Sequence, residues 1–295
     1  MSDGEPLNLL HEAIVDFPIQ ARLKRSDRSY IHNEDKGGCV MRKIKLLVMV
    51  FLVIVTTAAS VKAFGVEFAV GGWAQDPSGT LGYKVLTSND ILDVENDLKY
   101  DTENRVAGRL KIDMPLLLPN IYLMATPMEF KEIGRKESGF KFGDIVFDPG
   151  PFETETVLDH FDVGLYYGIP LLETATLDKL NIDVGLNVRI YDYDLNVRQA
   201  STGLSESETG TFPVPMVFVA VQLRPFERFS FEAEGRGISY SGNDVYSLIG
   251  RIRFNIVGPL FAAGGYRYEK VKIDEEDVLA DIEISGPFLE AGFSF

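Results

Sequence analysis

Apolar and polar residues alternate in ten successive segments after residue 63, and groups of turn-forming residues separate the segments. The clearest segment covers residues 181–197, where an unbroken apolar row that includes Leu186 faces a polar row that includes Arg189. A period of two predicts β-strands, and no helical period of useful length competes with it. Beyond Ile190 the apolar residues change rows, so either the strand leaves an apolar surrounding there or a β-bulge resets its faces.

The last segment ends the chain on an aromatic residue. Leu289, Ala291, Phe293 and Phe295 share one face of this strand, and small or polar residues occupy the other. Leu289, Phe293 and Phe295 resemble the terminal signal that the barrel-assembly machinery of Gram-negative bacteria reads. The alternative is an ordinary C-terminal strand of a soluble β-sandwich.

The number and spacing of the segments predict an all-β fold. Long connections follow segments one, three and five, and short ones follow two, six and eight. This alternation is typical of outer-membrane barrels, which have short periplasmic turns and longer external loops. We therefore expect a closed antiparallel transmembrane β-barrel of about ten strands, with eight or twelve as alternatives.

The N-terminal part of the chain has a different pattern. Residues 41–63 combine a basic start, ten consecutive apolar residues and a small-residue end, which together predict a signal peptide with a helical core, cleaved between Ala63 and Phe64. The apolar run is shorter than the roughly 20 residues of a spanning helix. Residues 1–40 are interpreted as a doubtful extension outside the fold, and residues 64–295 as the barrel.

Composition narrows the function classes. A formal net charge of −15 disfavours nucleic acid, whose phosphates require a basic surface. The single cysteine, Cys39, lies in the doubtful extension, so the predicted barrel has no disulfide or thiolate metal site. We expect no cofactor.

Five stretches resemble the uncharacterised small outer membrane β-barrel proteins of Gram-negative bacteria. They are residues 118–130, 184–197, 213–226, 262–274 and 284–295. The resemblance implies a location in the cell outer membrane and no known reaction. The expected partners are outer membrane lipid, lipopolysaccharide, the barrel-assembly machinery and periplasmic chaperones, and the expected state is a monomer.

The polar face of the strands is predicted to line the lumen. In the third segment this assignment places Tyr122, Met124, Met128 and Phe130 outward. A narrow barrel must pair its interior charges or hydrate them. We expect salt bridges that block the lumen, and the alternative is a small channel whose charges select ions. The inward-facing charges are Arg109, Lys111, Glu129, Lys131, Asp183, Arg189, Glu232, Glu234, Arg236, Arg251, Arg253, Arg267, Glu269 and Glu290.

Two further groups are candidate sites. His160 lies beside Asp159 and Asp162, and an Asp–His pair at a strand end can activate water in outer-membrane proteases. The ordinary interpretation is a solvated histidine, and we expect no enzyme activity. The acidic loop at residues 93–104 begins like an EF-hand, but Leu98 occupies the glycine position, so no metal site is predicted.

Overall fold

The computed structural model describes residues 65–115, 118–274 and 277–295, and strands make up nearly all of their regular structure. The other elements are a 3-10 turn at Ser88–Asp90 and a four-residue helix, α1, at Leu172–Ala175. No helix in these ranges is long and apolar enough to cross a membrane. The strands are β1 Gly65–Tyr83, β2 Leu92–Asp93, β3 Glu103–Asp113, β4 Asn120–Thr126, β5 Glu129–Lys136, β6 Phe140–Phe142, β7 Ile145–Phe147, β8 Gly150–Gly168, β9 Leu180–Gln199, β10 Leu204–Phe226, β11 Phe229–Tyr240, β12 Asn243–Val257, β13 Leu260–Asp274 and β14 Val278–Ser294.

The sheet closes on itself. Each wall strand pairs antiparallel with its sequence neighbour in the wall, and β14 returns to pair with β1. β4 and β5 both pair with β8 and are separated by Pro127 and Met128, so together they form one interrupted wall strand. The wall therefore has ten strands, which confirms the predicted all-β closed barrel and its strand number.

Both described ends of the chain lie at one end of the barrel. The Val66 N–H donates to the Phe295 carbonyl at 3.3 Å, and the Phe295 N–H donates back at 2.9 Å. We call this end periplasmic, because the opposite, outer end carries the longest connection, residues 84–102. The tight outer turn between β11 and β12 uses Ser241 and Gly242, whose positive φ values of 52° and 90° suit a two-residue hairpin.

The outer surface of the wall carries an apolar belt. Leu186, Val217 and Leu289 are 69%, 59% and 74% exposed, as lipid-facing side chains are in the absence of lipid. Above Ile190 the outward row of β9 becomes polar, beginning with Asp192. The pairing of β9 with both neighbours continues there without a register shift, so the strand leaves the hydrocarbon and no bulge resets its faces.

Buried apolar side chains fill the outer part of the lumen. The β6–β7 hairpin supplies Phe140, Phe142 and Phe147, each 1% exposed or less. The Lys84 Nζ–Asp144 Oδ1 ion pair, at 2.9 Å, fixes the hairpin to the end of β1. We call this cluster the apolar cap; its buried members are Trp73, Leu81, Tyr83, Leu92, Val94, Leu98, Tyr100, Met128, Phe130, Phe140, Phe142, Phe147, Phe152, Leu158, Leu195, Val197, Ala280, Ile282 and Ile284.

The predicted facing of the third wall strand is wrong. Tyr122, Met124, Met128 and Phe130 point inward and are at most 7% exposed. Glu129 and Lys131 consequently lie on the outside, where the Glu129 side chain contacts Arg105 and the Lys131 side chain contacts Glu155. The lumen at this strand is apolar as well as polar, so alternation alone did not distinguish inside from outside.

Candidate functional site

A network of nine charged side chains crosses the periplasmic half of the lumen, and we call it the lower network. Arg109 is central: it contacts Glu67 and also Glu290, whose Oε1 lies 2.8 Å from Nη2. Arg251 contacts both Glu290, at 3.4 Å, and Glu234, at 2.8 Å, and so links the two carboxylates. The members are Glu67, Arg109, Lys111, Glu232, Glu234, Arg236, Arg251, Arg253 and Glu290.

Aromatic rings complete the packing of the lower network. The Arg236 guanidinium carbon lies 4.4 Å from the ring centre of Tyr122, and that of Arg253 lies 3.8 Å from the ring of Phe261. A ring face stabilises a desolvated cation, and such contacts are worth about 2 kcal/mol when water is excluded. The inward turn of Tyr122 therefore has a chemical function: it covers a cation that the network's carboxylates leave partly unpaired.

A second group, the upper network, lies between the lower network and the apolar cap. Arg189 donates from Nε and Nη2 to the two oxygens of Asp162, both at 2.9 Å, and its third nitrogen contacts Glu269. Arg267 donates to Glu269 at 2.5 Å and contacts His160 Nε2 at 3.2 Å. These five side chains are at most 5% exposed, so the bidentate pair is buried.

The charges in the two networks nearly balance. The lower network has four carboxylates and five cations, and the upper network has two of each around His160. Buried ions are tolerated when each has a partner of opposite sign and filled hydrogen-bonding positions. Each ion in the two networks has a partner of opposite sign, although Arg236 Nε and Nη1 and Arg251 Nε have no hydrogen-bond partner.

Open space is present at the periplasmic end of the lumen. A cavity of about 690 Å³ opens between Lys111, Asp183, Asn181 and Arg224, and we call it the vestibule. A second cavity, beside Arg109 in the middle of the barrel, is about 30 Å³, which holds roughly two water molecules. The vestibule therefore reaches the lower network, whose Glu67, Lys111, Glu232, Glu234 and Arg253 line it.

Eleven of the fourteen predicted lumen charges lie in the two networks, and Asp183 lines the vestibule. Glu129 and Lys131 lie outside, as described above. The sequence assignment missed Glu67 and Asp162. Both lie on the polar side of their strands, between apolar neighbours, so the signal was present.

The structure also shows where His160 and the acidic loop lie. His160 is buried in the lumen, 5% exposed, so the expectation of a solvated histidine is wrong. In the acidic loop Asp93 accepts the N–H groups of Glu95 and Asn96, and Asp97 pairs with Lys136 at 2.5 Å. Among the described residues, no group of three or more His, Cys, Asp or Glu is arranged to hold a metal.

The N-terminal predictions lie outside the described residues. These are the extension 1–40, the signal peptide 41–63 and the cleavage between Ala63 and Phe64. At the other terminus, Leu289, Phe293 and Phe295 face outward and are 74%, 46% and 70% exposed. This row is therefore accessible from outside the barrel.

No family model and no curated protein matches the sequence. The structure is similar to the outer membrane protease OmpT of Escherichia coli, with a TM-score of 0.46, 10% identity, and 80% of this chain and 99% of that chain covered. It is also similar to the attachment invasion locus protein Ail of Yersinia pestis, with a TM-score of 0.33, 10% identity, and coverage of 79% and 99%. The structure is also similar to the translocator domain of the autotransporter NalP from Neisseria meningitidis, with a TM-score of 0.33, 10% identity, and 86% of this chain and 96% of that chain covered.

TM-scores below 0.5 at 10% identity assign no activity to this chain. Closure of the wall and the exposed apolar belt determine the class of protein instead. A spanning sheet must close, because an open edge would leave backbone groups unpaired in hydrocarbon, and here β14 pairs with β1 along most of its length. The chain is an outer-membrane β-barrel.

Proposed function

We propose that the protein is a non-conducting outer-membrane barrel with a structural or surface role. One observation carries this proposal: ion pairs of the lower network cross the lumen, as from Lys111 on β3 to Glu234 on β11, and none of its nine side chains is more than 18% exposed. The upper network and the apolar cap add two more layers of buried side chains above it. A barrel of ten strands is also much narrower than the 16–18-stranded porins that hold open channels.

The contacts of His160 favour a structural role over hydrolysis. Its Nε2 contacts Arg267, and its Nδ1 lies 3.4 Å from the Leu158 carbonyl. Asp162 is held by Arg189 and by Asn187 at 2.7 Å, so it does not orient the imidazole. A general base needs reach to a water or substrate, and this histidine lies beneath the apolar cap.

Solute flux into liposomes tests the proposal. Proteoliposomes that contain the native barrel should swell no faster in arabinose than protein-free liposomes do. A variant in which a Gly-Ser linker replaces residues 139–148 removes the β6–β7 hairpin and should still not swell, because the two networks remain. Rapid swelling of the native protein would contradict the proposal and support the small-channel alternative.

A further inference from the structure

The barrel wall is incompletely paired on one side. β9 pairs with β10 from Leu204 to Leu223, but β11 pairs with β10 only from Val217 downward. β11 ends at Tyr240, where its hairpin with β12 turns back. The outer part of β10 therefore has a neighbour on one side and an open edge on the other.

Two prolines lie on this open edge. The Arg224 N–H donates to the Lys179 carbonyl, so the even-numbered residues of β10 bond towards β9. Successive residues of a strand direct their N–H groups to opposite sides, and the odd-numbered residues therefore face the gap. Pro213 and Pro215 are odd-numbered and have no N–H. The edge thus lacks two donors that a further strand would need.

The gap lies at the outer margin of the apolar belt. Pro213 is opposite Ile190 and Pro215 is opposite Val188, and both of these β9 side chains belong to the apolar belt. One step further out, the Thr211 hydroxyl donates to Asp192 at 3.0 Å, which marks the polar boundary. From Thr211 to Val217 the open edge is about 20 Å long, at roughly 3.4 Å per residue.

Apolar side chains form the inner wall of the gap. Phe212 and Val214 project inward from β10 and are half-buried, as is Ile238 on the opposite side. The Phe212 ring stacks on the ring of Tyr191, with ring centres 5.2 Å apart. We call the gap and this wall the lateral slot; its apolar residues are Tyr191, Phe212, Val214, Met216, Ile238, Val245, Val271 and Ile273.

We propose that the lateral slot binds an acyl chain of an outer-leaflet lipid. The slot is continuous with the lipid-facing belt, its wall is apolar, and its proline edge is poor at binding a strand of a second copy. An acyl chain needs no hydrogen-bond donor, so the loss of two N–H groups costs it nothing. At this margin the same loss reduces the number of unpaired backbone groups that the open edge leaves.

Photocrosslinking in intact outer membranes tests this proposal. A benzoylphenylalanine replaces Phe212, which lies at the slot, or Phe218, which points inward from the same strand behind the paired wall and is 1% exposed. The analogue at the outward-facing Phe231 is the positive control. We expect the Phe212 protein to form lipid adducts at a yield within about threefold of the Phe231 protein and at least tenfold above the Phe218 protein.

Three results would overturn the proposal. They are no lipid adduct at position 212 while position 231 reacts, equal adduct yields at positions 212 and 218, and adducts whose mass identifies only a free apolar solute. If the Phe212 protein does not fold, as shown by the loss of its heat-dependent shift on electrophoresis, the analogue at Val214 is read by the same criteria. Ile238→Trp, which narrows the slot, should lower the yield at position 212 and leave position 231 unchanged.

Discussion

Removing the guanidinium of Arg189 should destabilise the barrel more than removing any surface arginine. Arg189 is 0% exposed and makes two 2.9 Å bonds to Asp162 besides its contact with Glu269. Arg189→Met keeps most of the side-chain volume and leaves the Asp162 carboxylate buried without its principal cation. Breaking a buried pair in this way costs about 3–5 kcal/mol.

Arg198 provides a control on the same strand. Its side chain is 63% exposed and lies 3.9 Å from Glu153, and exposed pairs contribute about 0–1 kcal/mol. Urea unfolding in lipid vesicles, followed through the fluorescence of the single tryptophan, Trp73, measures both variants. Trp73 is 1% exposed in the apolar cap and therefore reports on the lumen.

The double variant Asp162→Asn/Arg189→Met separates the pair from its surroundings. We expect the double variant to lose less unfolding free energy than the two single variants lose together, by about 1–3 kcal/mol, because the residues are in direct contact. In the native barrel Glu269 also contacts Arg267 at 2.5 Å and the Ser247 hydroxyl at 2.7 Å, and we expect it to retain these two partners in the variant. If Arg189→Met and Arg198→Met were equally mild, the lumen would be hydrated and the reasoning refuted.

Three other predictions concern different parts of the molecule. Leu186→Arg, on the apolar belt, should cost about 2–4 kcal/mol in vesicle unfolding if it lies near the midplane, whereas Asn196→Arg, on the same face above the belt, should cost under 1 kcal/mol; equal losses would contradict the membrane position. Deletion of Phe295, which is 70% exposed, should leave refolding in detergent intact and deplete the protein from the outer membrane; normal levels there would contradict the terminal signal. Burial raises the pKa of Asp90, but hydrogen bonds from the Lys141 N–H and other donors outweigh it, so the pKa lies below 3.8. The stability that the ionised carboxylate provides is complete above pH 3.8 and is lost as the pH falls through the pKa of the folded state. Hydrogen exchange at residues 140–147 should therefore accelerate in that acidic range, and also in Asp90→Ala at neutral pH. Unchanged exchange in that variant would refute the anchoring role.

The wall was predictable from sequence because lipid imposes a simple rule on it. Outward residues of strands such as β9 and β14 must be apolar, so period two, the alternating connection lengths and the terminal phenylalanine together indicated a closed ten-stranded barrel. The same rule explains the apparent inversion after Ile190. Outside the hydrocarbon, the outward face of β9 becomes polar while its inward face, with Leu195 and Val197, enters the apolar cap.

The lumen was less predictable because its chemistry depends on strands far apart in sequence. Tyr122 faces inward because it stacks on Arg236, which lies more than 100 residues later, and no local pattern contains that contact. Glu67 joins Arg109 and Arg253 only after β1, β3 and β12 come together. The open edge of β10 likewise depends on the short length of a neighbouring hairpin.

Single-channel recording tests the central claim, a closed lumen, most directly. The native barrel in a planar bilayer in 1 M KCl should show no conductance steps above the baseline. Arg109→Ala/Arg251→Ala removes two cations that cross the lumen at the 30 Å³ cavity and should introduce small, flickering openings. Stable steps in the native protein that do not change in the double variant would contradict the account.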